Sequence, residues 1–323
     1  MIFHEIAVEP DAIRTLRDLQ CVLLLAGFGN GRLIVNYPSK GPDPASDIGT
    51  WVWRVIESVR VADVGKVGKA RELLIKERKK ILRSKRIFNH RASWIENARS
   101  ENKQSPFAAM IVDGCPESAL ECNLDDLSGD RPPQCLREDQ HVRTLPKRPT
   151  QFAEHMLPML RHASALRFVD PHYLRQNRNN GQINLSRAHA AIAREIALRM
   201  NADNVNRVPR TVEFHMLRVS EYPNDDLHIF IRAMGEHLPS RWKAAAFLWE
   251  ERKSGKRFHA RYLLTDIGGV GSDYGLDEGR TQGDETDLYL LPEAMRAQRT
   301  EDFSINSKVF RLAAGPLEFF GIQ

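Results

Sequence analysis

The chain has 323 residues, of which 42% are hydrophobic and 28% charged, and its formal net charge is +5. That length suits one large domain or two ordinary ones, and the composition is that of a globular chain rather than a disordered or fibrous one. No apolar run approaches the roughly 18 residues that a membrane helix needs, the first residues lack a signal-peptide pattern, and four scattered cysteines form no disulfide framework, so a cytoplasmic protein without a membrane partner is expected.

In chain order, Asp11 to Leu24 reads as a helix with Ala12, Leu16 and Leu19 on one face. Gly27 to Gly31 is a turn, Arg32 to Asn36 a short strand and Pro38 to Ser46 a loop. Apolar residues recur at helical spacing from Gly49 to about Ser84, with Gly65 and Gly68 placed to break the run, and Phe107 to Val112 suits a strand. Residues 113–150 carry acidic residues and then prolines with no clear period. They are expected to form a linker or surface excursion between an N-terminal region (1–112) and a C-terminal domain (151–323).

The C-terminal part alternates. Phe152 to His162 is a predicted helix and Leu166 to Asp170 a strand ending in Asp-Pro. Arg187 to Met200 is a helix behind Ser186 as N-cap, followed by a strand at Thr211 to Leu217 and a helix at Leu227 to Leu238. Strands follow at Ala244 to Trp249, Phe258 to Thr265 and Thr286 to Leu291, and Pro292 opens a last short helix. This is an α/β pattern.

The charge is unevenly spread. Between Lys66 and Arg91 there are eleven Lys and Arg against two Glu, read as one long basic helix. Such a run is either a solvated face, a surface for an acidic protein or for the acidic segment 113–130 of the same chain, or a nucleic-acid contact in which Lys76, Lys79, Lys80, Arg83, Lys85 and Arg86 would neutralise phosphates. Cys115, Cys122, Cys135 and His141 have spacings that match no compact zinc site, so no metal is expected. Eight further histidines, His189 and His215 among them, show no partner in the sequence.

One stretch carries a specific chemistry. In FHARYLLTDIGGVGSDYGLDEG, His259 and Arg261 are two apart and would share a strand face, with Asp266 at the strand end and Gly268-Gly269 as the turn. Imidazole can attack phosphorus or move a proton near neutral pH, and guanidinium matches phosphate oxygens. The alternative is a half-exposed strand without chemistry.

The H-x-R-x4-D pattern resembles the H-x-K-x4-D signature of the phospholipase D superfamily. Residues 151–323 resemble that fold's strand and helix order, particularly the bacterial single-motif domains and the C-terminal domain of MIT-domain proteins, in which an entering strand resembles Arg167 to Tyr173. The resemblance implies a phospholipase D-like α/β/α sandwich and a metal-independent, cofactor-free phosphodiesterase acting on nucleic acid, in an anti-phage or mobile-element setting. His259 would form a phosphohistidine, Arg261 would clamp phosphate and Asp266 would orient the imidazole, while Asp170, His172 and Asp277 are further phosphate- or substrate-binding candidates. Arginine replaces the family's lysine, the Gly-Ser-x-Asn element has no match, and the motif occurs once, so a homodimer or larger assembly would complete the site. The same departures suit a non-catalytic subunit that binds nucleic acid or protein.

Overall fold

The computed structural model describes residues 2–43, 46–83, 86–128, 132–137, 142–202, 209, 211–253 and 255–323, apart from the side chains of residues 83, 128 and 202. The chain divides into two compact α/β units, one spanning Phe3–Gln140 and the other His141–Gln323 together with the first two residues.

The N-terminal unit is built from β1 (His4–Val8), α1 (Leu16–Leu25), β2 (Arg32–Asn36), α2 (Trp51–Ala62), α3 (Val67–Lys76), β3 (Ile81–Arg83), α4 (Trp94–Gln104), β4 (Ala109–Ile111), β5 (Glu121–Cys122) and α5 (Gln134–Arg137). Among the described residues its strands form one sheet in the order β3-β2-β1-β4-β5, every pairing parallel. A parallel sheet is covered on both faces, which explains the unbroken apolar runs of β1 and β2. Ile6 and Val8 pack into a cluster with Leu19, Trp51 and Val55, whereas Ala7 packs on the other face with Tyr37, Trp94 and Phe107. Helix α1 starts at Leu16 rather than Asp11 because Thr15 and Asp18 form a reciprocal capping box.

Two expectations change here. The basic run is not one long helix: α3 ends at Lys76, Arg78–Lys80 make a single 3-10 turn, and Ile81–Arg83 leave as β3 to pair with β2. The physical reason is that the apolar pair Ile81-Leu82 satisfies its backbone in the sheet, and three successive cations sit well at a helix end but poorly within one. The expected linker 113–150 is also not separate. It supplies β5 and α5 to the N-terminal unit, and Val142–Pro146 becomes a strand, β6, of the C-terminal sheet.

After β6 the C-terminal unit continues with α6 (Pro149–Leu160), β7 (Ala165–Val169), β8 (Leu174–Gln176), β9 (Ile183–Leu185), α7 (Arg187–Ala202), β10 (Thr211–Leu217), α8 (Pro223–Gly235), β11 (Lys243–Glu251), β12 (Arg261–Thr265), β13 (Gly269–Ser272), β14 (Glu285–Leu290), α9 (Glu293–Asp302) and β15 (Phe310–Phe320). Among the described residues the main sheet runs β15-β11-β10-β7-β12-β13-β14-β6. Strands β7, β10 and β11 are parallel, and the remaining pairings are antiparallel. Alternation along β10 places Phe214 against Phe168, Tyr173 and Phe230 on one face, and His215 against Phe247, Trp249 and Phe303 on the other. His215 is fully buried yet satisfied: Trp249 Nε1–H donates to Nδ1 (2.9 Å) and Glu213 lies 3.0 Å from Nε2, Glu213 being paired in turn with Arg167. Burial pushes the imidazole down to about 4, so it is a neutral structural group.

Asp266 follows β12, and its carboxylate accepts from Ser164 N–H (2.8 Å), Ser164 O–H (2.6 Å) and Ala165 N–H (3.2 Å), closing the start of β7. Partial burial would raise its pKa, but these donors outweigh that and hold it below its ordinary value. The Asp266→Ala variant is expected to lose about 1–2 kcal/mol of stability, read as a lower melting temperature. An unchanged melting temperature would contradict this structural role.

Candidate functional site

The antiparallel β7/β12 register pairs Tyr262 with Val169, so the end of β7 meets the start of β12. Asp170 follows β7, Arg261 opens β12, and Ser272 at the end of β13 pairs with Arg261. The next turn brings Gly275 over Arg261, and Gly275 has a φ of +102°, a conformation glycine adopts without strain. A Cβ there would stand only 3.2 Å from Arg261 Nε. This turn then delivers Asp277.

Asp170 is 0% exposed. Its Oδ1 accepts from His172 N–H at 2.8 Å, while Oδ2 has no hydrogen-bond partner and lies 3.7 Å from His189 Nε2. His189 stands in the first turn of α7, where its Nδ1 is 2.6 Å from Ser186 Oγ and its Nε2 is 4.0 Å from Asp277 Oδ2. Two carboxylates facing Nε2 favour a proton on that nitrogen, so Ser186 O–H donates to Nδ1. Lys147, just beyond β6, sits 2.5 Å from Asp277 Oδ1 and donates to the Tyr274 carbonyl at 2.9 Å. Arg261 Nη1–H donates to the Asp273 carbonyl at 3.3 Å, but its Nε is buried without a partner. The result is a charge-dense cluster with unused polar capacity on both a carboxylate and a guanidinium.

The electrostatics follow from this crowding. Burial pushes Asp170 up to about 6, against the pull of the His172 N–H and the Arg261 charge. Burial also pushes His189 well down, with the Asp277 carboxylate opposing and the Arg175, His172 and Arg261 charges reinforcing the shift. His172 is lowered by burial and then by Arg261 and Arg175.

Of the residues singled out from the sequence, Asp170, His172, Arg261 and Asp277 meet at this sheet edge. His259 is exposed and precedes the strand rather than lying within it, near enough for its charge to weigh on His172. It is held there by Glu251, which accepts from Phe258 N–H (2.8 Å) and pairs with Arg257 (2.9 Å). Asp266 does not join them. It lies at the far end of β12, about 16 Å away along an extended strand, so it cannot orient His259. His189, Ser186 and Lys147 belong to the cluster but were not legible as members, since their partners come from distant segments.

In the N-terminal unit Lys76 and Lys79 are exposed. Lys80 is engaged with Glu77 (3.1 Å) and the Leu23 carbonyl (2.8 Å). Arg86 is turned inward onto Glu5 (2.8 Å) and the Phe107 ring, so it is not a free surface cation. Lys85 and the Arg83 side chain lie outside the described residues. Cys122 and Cys135 sit in the apolar core, where burial pushes the Cys122 thiol up to about 12 and raises Cys135. Cys115 is exposed, and His141 lies outside the described residues. No helix among the described residues is long and apolar enough to cross a membrane. A scan of protein-family models and a search of curated proteins both find no match to this chain.

Asp170 gives a pH test. Its proton is held more tightly in the folded chain than at the ordinary value of 3.8, so its contribution to stability is fully present below that value and is lost as the pH rises through about 6. The ionised group therefore costs up to about 3 kcal/mol at neutral pH. The Asp170→Asn variant is expected to raise the melting temperature at pH 7.5 by roughly 2–6 °C after the weakened acceptor bonds are subtracted, and to leave it nearly unchanged or lower at pH 4.5. Equal effects at both pH values would contradict the assignment.

Proposed function

We propose that the C-terminal unit is a phospholipase D-like phosphodiesterase acting on nucleic acid, with its site at the edge where β7 ends and β12 begins. The observation that carries this reading is Arg261: a guanidinium with an unpartnered Nε, set beside the buried Asp170 and on the same chain segment as the exposed His259. Guanidinium binds phosphate oxygens in a planar fork and stays charged at any working pH. Asp170 and Asp277 supply the negative charge that keeps Arg261 and Lys147 in place between substrates.

In the proposed reaction a neutral His259 nitrogen attacks phosphorus, a P–N bond forms, and the P–O bond to the leaving strand breaks. The departing oxygen takes a proton from His259 of the partner subunit in a symmetric homodimer. That imidazole then removes a proton from water, which attacks phosphorus and releases His259. The exposed Lys76 and Lys79 of the N-terminal unit suit an additional contact to phosphates.

The test is cleavage of plasmid, single-stranded DNA and RNA in EDTA by the purified chain and by variants. His259→Ala is expected to abolish cleavage, and Arg261→Ala to lower kcat/KM by about 10²–10³-fold, with partial recovery in Arg261→Lys. Cleavage that needs a divalent ion or survives His259→Ala would overturn the mechanism. Binding without any cleavage would favour the non-catalytic subunit, a reading that the arginine in place of the family's lysine already suits.

A further inference from the structure

The edge that holds the cluster is longer than one phosphate requires. Reading across the sheet at that edge, the end of β10 comes first, then Asp170 beyond β7, Arg261 at β12, the end of β13, the start of β14, and the end of β6. Five strand spacings cover about 24 Å. An open groove of about 660 Å³ lies beyond β10, lined by Gln176 and Ile183 of the β8–β9 hairpin and by Arg218, Ser220, Tyr222 and Asp225. A second of about 660 Å³ lies beyond β6, lined by Lys147, Arg148, Thr150, Glu278 and Gln282 among others. The grooves thus flank the cluster on opposite sides.

One large exposed aromatic ring, Tyr222, lines the first groove, and another, Tyr274, stands in the turn after β13, on the other side of Arg261 in the strand order. Tyr222 is 69% exposed and Tyr274 is 72% exposed. Tyr222 N–H donates to Ser220 Oγ at 2.9 Å, and Ser220 O–H donates in turn to the buried Asp226 at 2.8 Å. Tyr274 N–H donates to Thr286 Oγ1 at 3.3 Å, and its carbonyl accepts from Lys147. Backbones held this way fix where the rings stand, while the rings themselves pack against little. The hairpin beside the first groove presents Arg175, Asn177, Arg178 and Asn179, all exposed. The first groove itself is acidic, with Glu221 and Asp225 at its wall. Carboxylates there disfavour phosphate but accept from the amino groups of bases.

From this arrangement we infer that the substrate is single-stranded nucleic acid, threaded along the sheet edge with unpaired bases stacked on Tyr222 and Tyr274 and the scissile phosphate between them at Arg261. This deepens the phosphodiesterase reading and rests on it. A duplex hides its base faces in its own stack, so two outward-facing rings gain nothing from it. A single strand offers a face at every base, and each such stack is worth enough to change affinity several-fold or more.

The test uses the full chain carrying His259→Ala, so that binding is read without cleavage. Fluorescence anisotropy is measured with a labelled 12-nucleotide DNA, the same sequence as RNA, and the DNA as a duplex. The single strands are expected to bind at least about tenfold more tightly than the duplex. Adding Tyr222→Ala or Tyr274→Ala is expected to weaken single-strand binding about five- to tenfold or more, whereas Tyr→Phe at either position retains it. Equal or tighter duplex binding, or Ala variants without effect while wild-type cleavage still depends on His259, would overturn the single-strand path and leave the phosphodiesterase reading standing. A wild-type chain that neither binds nor cleaves any of the three would overturn both.

Discussion

The antiparallel pairing of β7 with β12 is the constraint from which the site follows. A parallel neighbour would begin where β7 begins, leaving the end of β7 beside another strand's end. Because β12 runs the other way, its first residue, Arg261, arrives at the end of β7, which Asp170 follows. The same reversal sends Asp266 to the opposite edge, where it bonds Ser164 and Ala165. One strand thus separates two charged residues that the sequence places close together: Arg261 at the site and Asp266 as a structural tie.

Asp170 also shows what the edge costs. A fully buried carboxylate with an unpartnered oxygen is unfavourable for folding alone, because desolvation opposes its charge. Proteins retain such groups where a neighbouring charge must be held in place or a ligand completes the set. Arg261 is the neighbouring charge that acts on Asp170, Lys147 is paired with Asp277, and burial keeps His189 neutral although Asp277 opposes that. His215 is the contrast within the same sheet. It is equally buried but has both ring nitrogens engaged by Trp249 and Glu213, and it has nothing left to offer a ligand.

Much of this was legible in the sequence, and the rest was hidden for definite reasons. Strands β7, β10, β11 and β14, and helices α7 and α8, follow the apolar periodicity closely, because one strong core decides them. Strand β15 escaped notice because it contains Gly315-Pro316. Proline is tolerated there since β15 is an edge strand with an irregular register, and Gly315 is needed because a Cβ would fall 2.5 Å from the Ala246 carbonyl oxygen. Strand β6 escaped because only Leu145 of its five residues is buried. Asp170, His172, Arg261 and Asp277, singled out from local motifs, come together at one edge of strand ends. His189 and Lys147 were not singled out, because membership depends on α7 and β6 arriving from elsewhere, which no local spacing encodes. The role given to Asp266 failed because spacing along a strand says nothing about which edge each end occupies.

The covalent chemistry proposed for the β7/β12 edge can be tested by trapping the intermediate. The wild-type chain is mixed with a single-stranded oligonucleotide in EDTA, quenched within milliseconds to seconds under conditions that preserve phosphoramidates, digested, and mapped by mass spectrometry. A nucleotide adduct is expected on the peptide containing His259, and none in Arg261→Ala. Cleaved product without an adduct on that peptide, or an adduct on a residue outside this edge, would contradict that proposal.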